Sequence, residues 1–309
     1  MMKYVIVVPV KNESRFIEKT IQSITRQTIK PLFCLFIDDM STDSTAAIIQ
    51  NYSRQFSYMK YQTNTANSSQ DEYQLGGHIV RLLLKGKRII DSYHIDYDYL
   101  VKLDGDIQFD ATFIESIWQK IKGDNYGIVS GTPYSIRKQK KIYNDSPPWH
   151  SRGQFKIYNK DCIEQIGGPP TMLGWDCADN IRAIEFGWKT KVFQVPEYRM
   201  SRAIGGKFSL ARGRVNHGIG AYQLGYHPIY FILRTLYNMF EPPYFIGSCY
   251  MLYGYVNSVF TSDKKSLTSK QVKILRRLHW RHFRKKVTYQ LERPISVVKE
   301  VSLNKLQNT

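Results

Sequence analysis

The sequence is poor in the features that mark several large protein classes. Only four cysteines occur in 309 residues (Cys34, Cys162, Cys177 and Cys249), and no two form a C-x-x-C pair. With no histidine cluster beside them, they are expected to be free thiols in a reducing compartment, not a disulfide framework or a zinc site. No G-x-G-x-x-G follows the first apolar run and no G-x-x-x-x-G-K-[ST] occurs anywhere, which disfavours dinucleotide oxidoreductases and P-loop phosphotransferases. No apolar stretch reaches the roughly 20 residues needed to cross a bilayer. The opening Met1-Met2-Lys3-Tyr4-Val5-Ile6 has neither the apolar core nor the small-residue cleavage site of a signal peptide, so a cytoplasmic protein is expected. Acid is missing at one end: between Lys264 and Lys286 there are ten Lys or Arg residues and no Asp or Glu.

That basic stretch is part of a net charge of 44 − 26 = +18. Such an excess points to a polyanionic partner: nucleic acid, an anionic membrane surface or a phosphorylated substrate. A solvated basic surface that aids solubility would have the same composition. Hydrophobic residues make up 42% of the chain, enough for a real core. The length fits one large α/β domain with an appendage, or two modest domains.

The first 130 residues alternate between strand and helix patterns. Tyr4 to Val8 is a continuous β-branched run, as in a strand buried on both faces, and Pro9 ends it. Phe16, Ile17, Ile21 and Ile24 recur at helical spacing, with Asn12 as a plausible N-cap. Strands are expected at Phe33 to Ile37, Tyr58 to Gln62, Tyr99 to Leu103 and Tyr126 to Ser130. Helices are expected at Ser44 to Tyr52, capped by Thr42 or Asp43, at Ile79 to Ile90 and at Ile114 to Ile121. This β-α-β-α order predicts an α/β fold with a parallel sheet covered by helices on both faces. Residues 131 to 160 are polar and predict a long loop holding one hairpin. Ala178 to Phe186 predicts a helix, and residues 199 to 220, rich in Gly, Arg and Ser, predict a mobile loop.

In parallel sheets, ligands sit beyond the carboxyl ends of the strands. Three polar clusters fall there: Lys11-Asn12-Glu13 after the first strand, Asp38-Asp39 after the second and Asp104-Gly105-Asp106 after the fourth. Asp104-Gly105-Asp106 is a hard-oxygen site suited to Mn2+ or Mg2+, and the glycine lets a ligand approach closely. A cation held there could neutralise a departing diphosphate. Asp96-x-Asp98 has the same form but no such position. Asp38 or Asp39 could accept from a base N–H or a ribose hydroxyl. Asp176, ahead of a helix, could serve as a general base or simply cap that helix.

Together these motifs resemble the family 2 glycosyltransferases, which have the GT-A fold. Val7-Val8-Pro9-Val10-Lys11-Asn12-Glu13 is similar to that family's opening strand and loop. Asp38-Asp39-Met40-Ser41-Thr42-Asp43 is similar to its D-D-x-S-x-D, and Lys102-Leu103-Asp104-Gly105-Asp106 to its metal-binding strand end. The resemblance implies a nucleotide-sugar donor bound by Pro9, Lys11, Glu13, Asp38, Asp39, Asp104, Gly105 and Arg212. It implies a metal on Asp106 with Asp104. Asp176, spaced from Arg182, Gly187 and Trp188 as in the family, takes the place of its catalytic base, with Asp179 in reserve; Trp175 stands where the family usually has Glu. Arg199, Lys207, Arg214 and His217 are further candidates for the diphosphate.

The implied GT-A domain runs from 1 to 222, with a nucleotide-sugar-binding half at 1–110 and an acceptor-side half at 111–222. A helical extension at 223–309 follows. Ile229 to Phe240 and Tyr244 to Phe260 are apolar and aromatic, and the basic stretch follows them. This is the pattern of an in-plane membrane anchor, or of core helices. The expected activity is inverting transfer of one sugar, by a protein peripheral on the inner face of the membrane. The acceptor would be a glycan or polyprenyl-linked hydroxyl. The reading expects no nucleic acid, although Trp280 and Phe283 in the basic tail keep nucleic-acid binding as an alternative. A sugar nucleotidyltransferase is a further alternative, but it would carry a Gly-rich loop after the first strand.

Overall fold

The computed structural model describes residues 2–65, 77–137, 139–143, 146–202, 210–239, 244–261 and 265–291. A nine-stranded sheet runs through the N-terminal two thirds. The strands are β1 (Tyr4–Val10), β2 (Phe33–Asp38), β3 (Met59–Thr63), β4 (Tyr99–Leu103), β5 (Ile107–Phe109), β6 (Tyr126–Arg137), β7 (Lys140–Tyr143), β8 (Phe155–Asn159) and β9 (Lys189–Met200). Their order is β3-β2-β1-β4-β8-β6-β9-β5, with β7 paired to β6. Strands β1 to β4 are mutually parallel, whereas β8 meets both β4 and β6 antiparallel.

Strand periodicity explains the two-faced core. Successive residues of β1 point to opposite faces. Tyr4, Ile6 and Val8 pack with α1 (Ile17–Thr25), α2 (Thr45–Gln55) and later with α4 (Phe113–Ile121). Val5 and Val7 pack with α3 (Gly77–Ser92) and α5 (Lys160–Gln165) on the other face. Helix α1 turns Ile17, Thr20, Ile21 and Ile24 inward, one face at helical spacing. A third cluster joins α6 (Trp175–Glu185) to the C-terminal helices α7 (Leu210–Gln223), α8 (Pro228–Asn238), α9 (Ile246–Phe260) and α10 (Ser269–Leu291).

The structure corrects four local expectations. Pro9 does not end β1, which continues through it to Val10. Asn12 does not cap α1, whose first residue is Ile17; it sits at a φ of 52° and accepts from the Thr42 amide at 2.8 Å, tying the first two strand-end loops together. Asp43, the alternative cap for α2, does accept from the Thr45 amide, at 3.0 Å. The stretch 131–160 holds the expected hairpin, β6–β7, but also β8, which lies centrally between β4 and β6. The stretch 199–220 is helical from 210, because the glycines of α7 serve contact instead of freedom. A Cβ on Gly218 would stand 2.1 Å from the Met251 carbonyl oxygen, and one on Gly254 2.2 Å from that of Val215. Helices α7 and α9 therefore touch backbone to backbone.

Candidate active site

Parallel pairing of β1, β2 and β4 brings three acidic strand ends to one edge of the sheet. Val10 is in register with Asp38, and the Asp39 amide continues the pairing by donating to the Val10 carbonyl at 2.9 Å. Pro9 is buried in β1 opposite Ile37.

Asp39 is enclosed and held from three sides. Lys11 Nζ lies 3.0 Å and His78 Nε2 2.9 Å from its Oδ2, while Asn64 donates to Oδ1 at 3.0 Å. Burial pushes the Asp39 carboxyl up, but these bonds outweigh it and hold the group well below the usual carboxylate range. Asp38 is committed to its own loop: Oδ1 accepts from the Ser41 amide at 2.9 Å and Oδ2 from the Tyr61 hydroxyl at 2.8 Å.

Glu13 and Asp106 meet through a residue that sequence patterns do not single out. Arg202, just beyond β9, forms an ion pair with Glu13 and donates from Nε to Asp106 Oδ2 at 2.9 Å. Its partners lie 189 and 96 positions away in the chain, so no local spacing could have linked them. Gly105 permits this closeness. A Cβ there would lie 3.1 Å from Val10 and 3.2 Å from Glu13.

Asp104 belongs to a second network. Its carboxylate pairs with the buried Lys102, and Lys102 Nζ also donates to the Gly153 carbonyl at 2.5 Å. The amide of the same Gly153 donates to Asp176 Oδ2 at 3.2 Å. Asp176 lies in the first turn of α6, with His150 Nε2 3.6 Å from its Oδ2. Burial pushes its pKa up, yet His150, Lys156 and Arg152 together hold it below the usual range. Asp104 and Asp176 are thus the two ends of one chain of contacts through Lys102 and Gly153.

Asp179 sits elsewhere. Its side chain is 0% exposed, Lys156 Nζ binds both its oxygens at 2.5 and 2.7 Å, and the Tyr158 hydroxyl donates at 2.6 Å. Burial is the largest influence on its pKa and raises it. A carboxylate so enclosed serves the interior. Trp175 also has a structural place: its ring receives Lys102 at 5.7 Å and Lys156 at 5.2 Å.

Other candidates are more scattered. Arg199 lies on β9, and Arg212 and His217 are exposed on α7; Lys207 is outside the described residues. Arg214 donates to the Met251 sulfur at 3.8 Å. Asp96 forms a surface pair with Lys3 at 2.6 Å, as its isolation in sequence implied.

Among the described residues no cluster of three His, Cys, Asp or Glu side chains has metal-binding geometry. Two carboxylates on a short turn are nonetheless a hard-oxygen donor set of the kind that divalent cations take together with water or phosphate oxygens. The Arg202 guanidinium supplies positive charge at Asp106.

Residues 5–70 match the family model described as Glycosyl transferase family 2. Glu13, Asp38 and Asp39 lie in that matched segment, and the family is the one that the sequence motifs resemble. The fold is shared with solved glycosyltransferases. The mannosyltransferase PcManGT from Pyrobaculum calidifontis, solved in complex with GDP-Man and Mn2+, aligns with a TM-score of 0.56 at 14% identity. The alignment covers 88% of this chain and 78% of that one. Residues 1–349 of S. aureus TarS, solved in complex with UDP-GlcNAc, align with a TM-score of 0.51 at 13% identity, over 84% and 73% of the two chains. The fold is GT-A, as expected. No curated protein sequence matches the chain.

Proposed function

We propose that the protein transfers one sugar, with inversion, from a nucleotide-diphosphate sugar to a hydroxyl of a glycan or lipid-linked acceptor. UDP is the favoured nucleotide. The observation that carries this reading is the contact chain Asp104–Lys102–Gly153–Asp176. It ties the strand end that would hold the cation to a carboxylate at a helix start, which supports a donor site and a base held on one scaffold.

In this reading Asp39 and Glu13 face the base and ribose. Asp106, with Asp104, would hold Mn2+ or Mg2+, whose charge would offset that of the leaving nucleoside diphosphate. Asp176 takes the proton of the acceptor hydroxyl; its low pKa keeps it ionised at neutral pH, and the Gly153 amide and His150 fix its aim. The GDP-Man and Mn2+ bound to PcManGT and the UDP-GlcNAc bound to TarS support a nucleotide-sugar donor and a divalent cation. The acceptor is proposed to belong to polysaccharide or cell-envelope glycan synthesis.

A panel of nucleotide sugars, assayed for metal-dependent turnover, identifies the donor. With that donor, Asp176→Asn is expected to lose about 10²- to 10⁴-fold in rate, the usual worth of a positioned base. Asp106→Ala is expected to be nearly inactive, and both variants should keep the wild-type circular dichroism spectrum. Full turnover in either variant would sink the assignment.

A further inference from the structure

Helix α9 is packed inside out. The residues it buries against α7 and α8 are small or polar for the most part: Gly247, Ser248, Met251, Gly254 and Ser258. Those it turns outward are large and apolar. Tyr250, Leu252, Tyr253, Val256, Val259 and Phe260 are all exposed, Tyr253 to 63% and Phe260 to 82%. Helix α8 also turns large apolar residues outward (Ile229, Ile232 and Leu236), but it buries Tyr230 and Phe231 beside Thr235 and so shares only the outer half of the arrangement. In water such a helix is upside down. In lipid it is the normal form, because helices there associate through small residues and present their large side chains to acyl chains. The backbone contacts at Gly218 and Gly254 are contacts of that kind.

Helix α10 adds the complementary charge. Lys270, Lys273, Arg277, Arg281 and Arg284 are exposed at steps of three and four, forming one continuous basic stripe, while Gln271, Leu275 and His279 face inward. No acid interrupts residues 269–291. Among the described residues no helix is long and apolar enough to cross a membrane. With 15 residues, α9 is about 22 Å long, short of the roughly 30 Å hydrocarbon core.

We infer that α8 and α9 form a monotopic insertion into the surface of an anionic lipid bilayer, with the α10 stripe on its headgroups. A nucleic-acid partner would account for the charge but not for the apolar face; a protein partner could cover that face, but the small-residue packing beneath it, with backbone contact at Gly218 and Gly254, is the form that helices take in lipid. The inference stands apart from the sugar-transfer reading and is tested without turnover.

The test is flotation of the full chain with phosphatidylcholine vesicles, with and without phosphatidylglycerol. Wild type should float with the phosphatidylglycerol vesicles, less at high salt but not to zero. Tyr253→Ser/Phe260→Ser, both at exposed sites, should keep the wild-type melting temperature and lose binding by tenfold or more on either vesicle. Arg277→Gln/Arg281→Gln should lose about 20- to 30-fold on phosphatidylglycerol vesicles only, at the usual worth of a basic residue near an anionic surface. Three outcomes overturn the inference. The first is vesicle binding that the serine substitutions leave intact. The second is a lipid-free dimer, seen in sedimentation, that those substitutions dissolve and that does not float. The third is a shift of RNA or DNA without vesicle binding.

Discussion

Lys102 on β4 and Lys156 on β8 are direct cross-strand partners, both buried, with the Trp175 ring close to each ammonium. Like charges placed opposite one another repel. The pair is tolerated because each ammonium has its own carboxylate, Asp104 for Lys102 and Asp179 for Lys156.

Removing one partner of a buried pair costs about 3–5 kcal/mol, because the other is left without compensation. Lys156→Met is therefore expected to lower the unfolding free energy by about that amount at neutral pH, read from urea unfolding. Burial already raises the Asp179 pKa, and loss of the ammonium raises it further. A folded pKa above the unfolded one destabilises at high pH and is relieved as pH falls, so the loss should shrink on acidification. Lys156→Met/Asp179→Asn should recover much of it. An unchanged urea midpoint in the single variant would refute the account.

Arg202 Nε donates to the Asp106 oxygen that the proposed divalent cation would take, so the two would compete for it. Arg202→Ala is expected to tighten Mn2+ binding to the donor-free protein, measured by calorimetry, because Glu13 and Asp106 then lack a counter-charge. Arg202→Lys should fall between the two. Weaker Mn2+ binding in the alanine variant would show that the arginine supports the cation site.

Asp39 is held below the usual carboxylate range by His78, Asn64 and Lys11 against the upward push of burial. A depressed folded pKa contributes stability that is complete above the unfolded value near 3.9 and is lost as pH falls through the folded one. The stability gap between wild type and Asp39→Asn should therefore narrow on going from about pH 6 to about pH 3 in urea unfolding. A gap that widens with acid would contradict the ion-pair assignment. Asp176 has a depressed pKa for a similar reason, so its own protonation should leave no acid limb in kcat/KM across the neutral range.

The parallel half of the fold was legible because its strands are buried on both faces. Tyr4 to Val8 and Tyr99 to Leu103 are apolar in nearly every position, and their ends announce the acids that follow. Strand β8 escaped because its five residues sit in the polar stretch 131–160 and pair antiparallel with β4, outside the β-α-β alternation that marks the parallel strands. Helix α7 escaped because Gly218 and Gly220 lower helix propensity, while the close approach of α9 that calls for Gly218 is a tertiary fact. At the site, Glu13, Asp39, Asp104 and Asp106 could be named from strand ends. Arg202, His78, His150 and Gly153 could not, since each acts through partners remote in sequence. The departure at Trp175 becomes intelligible only once two lysines are seen to share its ring.

Gly153 hangs between the two halves of the proposed reaction. Its carbonyl steadies the lysine that holds Asp104, and its amide steadies Asp176. A side chain is excluded there, because a Cβ would stand 2.6 Å from the Trp175 ring. The two groups belong to the two peptide units that meet at the Gly153 Cα, so Asp104, through Lys102, and Asp176 share one residue as an anchor. A rotation about that Cα is felt at both carboxylates.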